Sequence, residues 1–199
     1  MNNIKIILIT LIALTAIQCK AQDIRTLEQS RRNVTNATYI KDIDNVLDPF
    51  VGTWVLDDGT NYLKMVFKKK VKTLTGNYYQ DLLVGEYQYK RNGVEMINTL
   101  SKFNVPQANA YRHTIDGNYT WTNQTPFYEY TSDNFRIELI MGEPAGRAYS
   151  LEIRTTTFNG QPAIQIYKHK GEGGKPYHVG ETPPPIVVPN GFHYLIRQQ

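Results

Sequence analysis

The stretch LVGEYQYKRNG, Leu83 to Gly93, decides how the rest of the chain is read. Leu83, Gly85, Tyr87 and Tyr89 alternate with Val84, Glu86, Gln88 and Lys90, and the run ends on Asn92-Gly93. A period of two gives a strand one buried face and one wet face. An Asn-Gly pair accepts the positive φ angles of a tight hairpin turn. The same grammar runs in both directions from here. Leu63, Met65 and Phe67 alternate with Lys64, Val66 and Lys68. Phe135, Ile137, Leu139 and Met141 alternate with Arg136, Glu138 and Ile140, and Tyr149, Leu151 and Ile153 with Ser150, Glu152 and Arg154. Asp58-Gly59, Asp116-Gly117 and Asn159-Gly160 supply further turns. Counting runs gives about nine or ten strands. The expected fold is all-β, an antiparallel meander closed as a barrel or folded as a sandwich.

Composition agrees with one domain of this kind. The 199 residues are 41% hydrophobic and 20% charged, with 14 Tyr, 7 Phe and 2 Trp, too aromatic for a disordered chain. Lys5 and Lys20 lie in the first 21 residues, so of the formal +4 only +2 belongs to the remainder. That surplus is scattered along the chain and does not suit a nucleic-acid surface. The single Cys rules out an internal disulfide framework and a Cys-based zinc cluster.

The N-terminus reads as an export signal. Met1 to Lys5 is a short basic segment and Ile6 to Ile17 an unbroken apolar one, of signal-peptide length and too short to span a bilayer. Cys19 and Ala21 stand at −3 and −1 of a cut between Ala21 and Gln22. The alternative is lipidation at Cys19, although Gln18 is large where a lipobox has a small residue. The product is expected in the periplasm or outside the cell, with no transmembrane span in the mature chain, or on a membrane if Cys19 is acylated. Residues 22–49 read as a polar arm with short helical turns: Asp23 to Arg32 as a short helix, and Asp44 capping one turn before Pro49. Residues 50–199 form the β domain. Ser101 to Arg112 reads as a surface connection. Lys170 to Gly191, rich in glycine and proline, reads as a loop returning the chain to a last strand, Phe192 to Arg197.

Two resemblances add to this. Asp48-Pro49-Phe50-Val51-Gly52-Thr53-Trp54 resembles the G-x-W start of the first strand in lipocalins and fatty-acid-binding proteins. That resemblance implies a calycin-like barrel with Trp54 at its floor and Arg197 as the late basic residue packing across it. The tight turn at Asp58-Gly59 departs from the long first loop of lipocalins. YIKDIDNVLDPFVGTW (Tyr39 to Trp54) and DLLVGEYQYKRNGVEMINTL (Asp81 to Leu100) resemble a family of small exported bacterial proteins classed as a domain of unknown function. This second resemblance implies export and no particular activity.

No catalytic constellation stands out. His113, His169, His178 and His193 lack metal-ligand spacing, there is no G-x-S-x-G, and Gly171 to Pro176 lacks the spacing of a phosphate loop. Glu86, Glu138 and Glu152 occupy the polar phase of their strands, where a solvated sheet face needs charge. Asp116 is a fourth carboxylate in reach of a glycosidase-type pairing. The expectation is a protein with no cofactor, no bound metal and no enzymatic activity. Its leading function is binding a small apolar ligand inside the barrel against Tyr87, Tyr89, Phe135, Ile137 and Leu139. The alternative is an interaction module binding glycan or another envelope protein through exposed aromatics, of which Tyr111, Tyr119, Trp121, Phe127, Tyr128 and Tyr130 crowd one stretch. An open interior favours the first, and a filled interior with an exposed aromatic patch favours the second.

Overall fold

A computed structural model describes residues 22–29, 31–106, 112–121, 135–143, 146–169 and 186–198. The export segment with Cys19 and Ala21, the aromatics Tyr111, Phe127, Tyr128 and Tyr130, His178, and most of the glycine- and proline-rich loop lie outside these residues. Eleven strands are formed: β1 (Asp23–Arg25), β2 (Thr38–Ile40), β3 (Gly52–Asp57), β4 (Asn61–Thr75), β5 (Tyr78–Arg91), β6 (Val94–Asn98), β7 (Ile115–Trp121), β8 (Arg136–Glu143), β9 (Arg147–Phe158), β10 (Gln161–His169) and β11 (Gly191–Arg197).

Eight of them close into an antiparallel barrel in the order β5-β4-β3-β11-β10-β9-β8-β7, with β7 pairing back onto β5. Closure, not a sandwich, follows from the length of β5. Its 14 residues hold β4 along one edge and three partners in succession along the other: β2 at Tyr79 and Gln80, β7 at Leu83 to Gly85, and β6 from Gln88 to Arg91. Within the closed ring the unpaired edge is confined to the ends of long β5, where β2 and β6 cover it.

Three of the expected turns are hairpins. Asn92-Gly93 and Asn159-Gly160 take positive φ at both positions (49° and 76°, 51° and 75°), matching the twist of the strands they join. Asp116-Gly117 is different. It lies inside β7, where the register against β8 slips between Asp116 and Tyr119. Gly117 has φ +154°, and an added Cβ would stand 2.9 Å from the Glu138 carbonyl oxygen. The pair is a bulge that allows close backbone approach, not a turn.

The N-terminal arm is not helical. Residues 23–25 form a strand parallel to β2, which itself runs parallel to the end of β5. Leu27 is buried while Ile24 is exposed, so the segment has no helical apolar stripe, and its backbone donors pair with a strand edge instead. The turn expected from Asp44 is capped from Asp42, whose carboxylate accepts from the Val46 and Leu47 N–H groups at 2.8 and 3.1 Å. Pro49 sits in a single 3-10 turn, Asp48–Phe50.

Inside the barrel the alternating residues meet. Met65 of β4 lies between Trp54 and Tyr87, and Phe67 opposite Gly85. Trp54 is 2% exposed, donates its indole N–H to the Phe50 carbonyl at 2.8 Å, and is crossed by the Arg197 guanidinium 5.4 Å from its ring. Arg197 also donates to the Val51 carbonyl at 3.0 Å. At the other end, fully buried Val188 packs into the same core. The Glu143 carboxylate holds that segment, accepting from the Val187 and Val188 N–H groups at 3.0 Å each and from Lys168 Nζ at 2.9 Å. Lys168 in turn donates to the Val188 carbonyl at 2.7 Å and lies 3.6 Å from the Tyr149 ring centre.

Candidate functional site

Tyr87, Tyr89, Ile137 and Leu139 all face inward, and each is at most 1% exposed. Phe135 is half-buried at the edge of the core. A void wide enough for a water molecule would leave accessible surface on its walls. Leu63, Met65, Phe67, Leu83, Ile115, Met141, Leu151, Ile153, Ile164, Ile166 and Leu195 are equally closed off, so among the described residues the interior is filled by side chains. The five residues expected to face a ligand pack against one another and their neighbours.

The polar phase is less wet than its spacing suggests. Glu86 is fully buried: its carboxylate accepts from the Thr114 N–H and hydroxyl and lies 3.0 Å from Nδ1 of His113. Burial holds the His113 pKa below its ordinary value against the opposing pull of Glu86. The 3-10 turn at Leu100–Lys102 and Phe103 follow β6, and the Phe103 carbonyl accepts from Lys68 Nζ, so this surface connection lies on the outer side of β4. Asp116, flanked on neighbouring strands by Val84 and Ile140, is pushed up to about 7 by burial. His193 Nε2 lies 3.0 Å from the Pro189 carbonyl oxygen. Among the described residues no group of three metal-ligating side chains converges.

The outer face of β7 to β11 carries the arrangement with the most chemical content. Register places Tyr119 opposite Glu138, Glu138 opposite Glu152, Glu152 opposite Tyr167, and Tyr167 opposite Phe192. Directly paired residues share a face, so these five form one row across five strands, roughly 19 Å long at the usual strand spacing. Its ends are exposed aromatics, Tyr119 at 46% and Phe192 at 44%. Tyr167 packs on Phe192 with ring centres 4.6 Å apart and on His169 at 5.2 Å. A second row beside it orders Arg154, Gln165 and Tyr194: Arg154 Nε donates to Gln165 Oε1 at 2.6 Å, and Gln165 Nε2 to the Tyr194 hydroxyl at 2.7 Å. Phe158 stacks on Tyr194 at 4.8 Å.

The two carboxylates at the middle of the row have different surroundings. Glu138 accepts from the Trp121 indole N–H at 2.8 Å and from the Ser150 hydroxyl. Glu152 faces Arg136 Nε at 2.8 Å and His169 Nε2 at 3.7 Å. Burial raises its pKa, and Arg136 and His169 oppose that rise. The crevice between Glu152, Arg136, Arg154, Gln165 and Tyr167 holds about 10 Å³, the room of one water.

Alternation marks Glu138 and Glu152 as outward-facing, yet only pairing makes them neighbours. Tyr167 and Phe192 belong to strands read separately. Their one sequence signal is an aromatic recurring in the polar phase.

Fold and site together define an all-β protein: a closed eight-stranded barrel, filled by side chains among the described residues, with three accessory strands and an aromatic outer row. The chain belongs to a family of unknown function, DUF6705, whose model matches residues 1–188. No curated protein and no solved structure matches it. No helix of the described residues is long and apolar enough to cross a membrane.

Proposed function

We propose that this protein is an exported, non-catalytic binding module that docks carbohydrate on the outer face of β7 to β11. The observation that carries the reading is the row Tyr119–Glu138–Glu152–Tyr167–Phe192 on a barrel whose interior is closed. A sugar ring has apolar C–H faces and a rim of hydroxyls. Aromatic faces take the first, and carboxylate, amide and guanidinium groups beside them take the second. The apolar-ligand reading needs interior space that the packed core does not provide. A glycosidase needs a carboxylate that touches substrate, and Glu152 lies in a crevice with room for one water. The basic and apolar segments before Gln22 support the export part of the reading, and an exported module would meet envelope glycans.

The test is calorimetric titration of the purified protein with neutral oligosaccharides of three to six rings. Saturable micromolar to millimolar binding is expected, lowered at least about tenfold by Tyr167→Ala or Phe192→Ala with the fold intact by circular dichroism. Absence of binding across the panel, together with saturable uptake of an apolar fluorescent probe, refutes the reading and restores an interior carrier.

A further inference from the structure

We infer that the groove between residues 27–29, 31 and 32 and β7 is a second, anion-selective subsite, and that the saccharide this module takes carries a carboxylate or phosphate on the ring bound there. The inference rests on the carbohydrate reading and names the class of sugar. The groove has a volume of about 400 Å³ and is walled by Arg31, Arg32, Gln29, Glu28, Tyr119 and Thr120. That is within the range of sites that hold a small ligand.

Arg31 is the reason for the charge preference. It is half-buried, and all its hydrogen-bond acceptors are neutral: Asn118 Oδ1 at 2.7 Å, the Asn118 carbonyl at 3.2 Å and Gln80 Oε1 at 3.4 Å. No carboxylate among the described residues lies within 4.0 Å of it as an ion pair. The acid nearest its anchors in sequence, Asp81, is committed to the Tyr39 hydroxyl and the Asp42 and Lys72 N–H groups. Gln80 and Asn118 are each 2% exposed and joined by a 3.1 Å amide hydrogen bond, so the guanidinium stands on a fixed base. A guanidinium has five donors, and three are engaged, both of those on Nη2 among them; Nε–H and one Nη1–H remain, so an anion is met through a single charge-assisted hydrogen bond.

Tyr119 joins this groove to the row described above. Its ring lies 5.2 Å from the Arg31 guanidinium carbon and 5.0 Å from the Trp121 ring, with nearly half its surface exposed. A ring stacked on Tyr119 presents its acidic substituent to Arg31, while the next rings continue along Glu138, Glu152 and Tyr167. An acidic sugar bound there gives half-buried Arg31 an anionic partner that none of the described residues supplies.

The experiment compares trigalacturonate, its fully methyl-esterified neutral form, and a hexose 6-phosphate by calorimetry with the full chain. The esterified form has the same rings without the charge, and the phosphate arm separates the two anion chemistries. Trigalacturonate or the sugar phosphate is expected to bind at least about tenfold tighter than the neutral trisaccharide, the worth of one charge-assisted hydrogen bond. Arg31→Gln should remove that margin, so that charged and neutral trisaccharides bind the variant with equal affinity, and Arg31→Lys should restore part of it. Should Arg31→Gln fail to fold, raising salt from 0.05 to 0.5 M on the unaltered protein must narrow the margin. Equal binding of charged and neutral forms overturns the anion subsite and leaves the carbohydrate face standing. Binding of none of the three overturns both.

Discussion

Replacing Trp54 by alanine probes the packing around the indole buried on β3. The side chain is 2% exposed, and a tryptophan buries about 150–250 Å², so at about 25 cal/mol/Å² its burial contributes roughly 4–6 kcal/mol. The indole N–H to Phe50 adds about 1 kcal/mol, and the Arg197 guanidinium over the ring about 0.5–1 kcal/mol. These are upper figures, because the unfolded chain already covers part of its apolar surface. Relaxation of Met65 and its neighbours into the void returns some of the loss. The expected destabilisation is about 3–5 kcal/mol. Urea unfolding followed by circular dichroism measures it, with the m value checked for constancy. Trp54→Phe, which fills most of the volume and lacks the donor, should lose less than half as much. A double-mutant cycle with Arg197→Ala should return a coupling of about 0.5–1 kcal/mol. A loss below about 1 kcal/mol for Trp54→Ala would mean that the tryptophan does not close the barrel, and the reasoning about a sealed, filled interior would fall with it.

Two further outcomes follow from buried charge. Glu143→Gln leaves Lys168 buried beside Tyr149 without its counter-ion, which should destabilise by about 3–5 kcal/mol and speed amide exchange at Val187 and Val188. Unchanged exchange there would show that the carboxylate does not hold the segment. Asp116 is pushed up to about 7 in the fold, against 3.8 for the free side chain. Between those values the folded state holds a proton that the unfolded state has released, so stability falls as pH rises from about 4 to 7. Asp116→Asn should flatten that slope and stabilise at pH 8 on the order of 1–3 kcal/mol, read by unfolding at pH 4.5 and pH 8; an unchanged slope would contradict it.

Much of the barrel was legible from local pattern. Leu63, Met65 and Phe67 in β4, and Ile137, Leu139 and Met141 in β8, point inward as their alternation requires, because consecutive side chains on a strand cannot share a face. The arm was misread because three-residue strands such as Asp23–Arg25 carry no periodic signal; what makes them strands is the free edge of β5 and β2 beside them. Asp116-Gly117 was misread for a related reason. A glycine with positive φ serves a hairpin or a bulge equally well, and only the approach of the β8 backbone distinguishes the two.

The site divides along the same line. Sequence by itself determined that this chain is all-β, barrel or sandwich, with Trp54 at the start of an early strand, aromatic side chains in excess, and no recognisable catalytic motif. Those properties follow from residue type and from contacts within a few positions. The tertiary structure alone decided that the interior is filled among the described residues, that Glu86 and Glu152 are covered rather than solvated, and that Tyr119, Glu138, Glu152, Tyr167 and Phe192 form one row. It also decided that Arg31 rests on Gln80 and Asn118, from distant parts of the chain. Registers between strands are set by the summed packing of two whole faces and by loop closure, so residues far apart in the chain become neighbours only once the barrel closes.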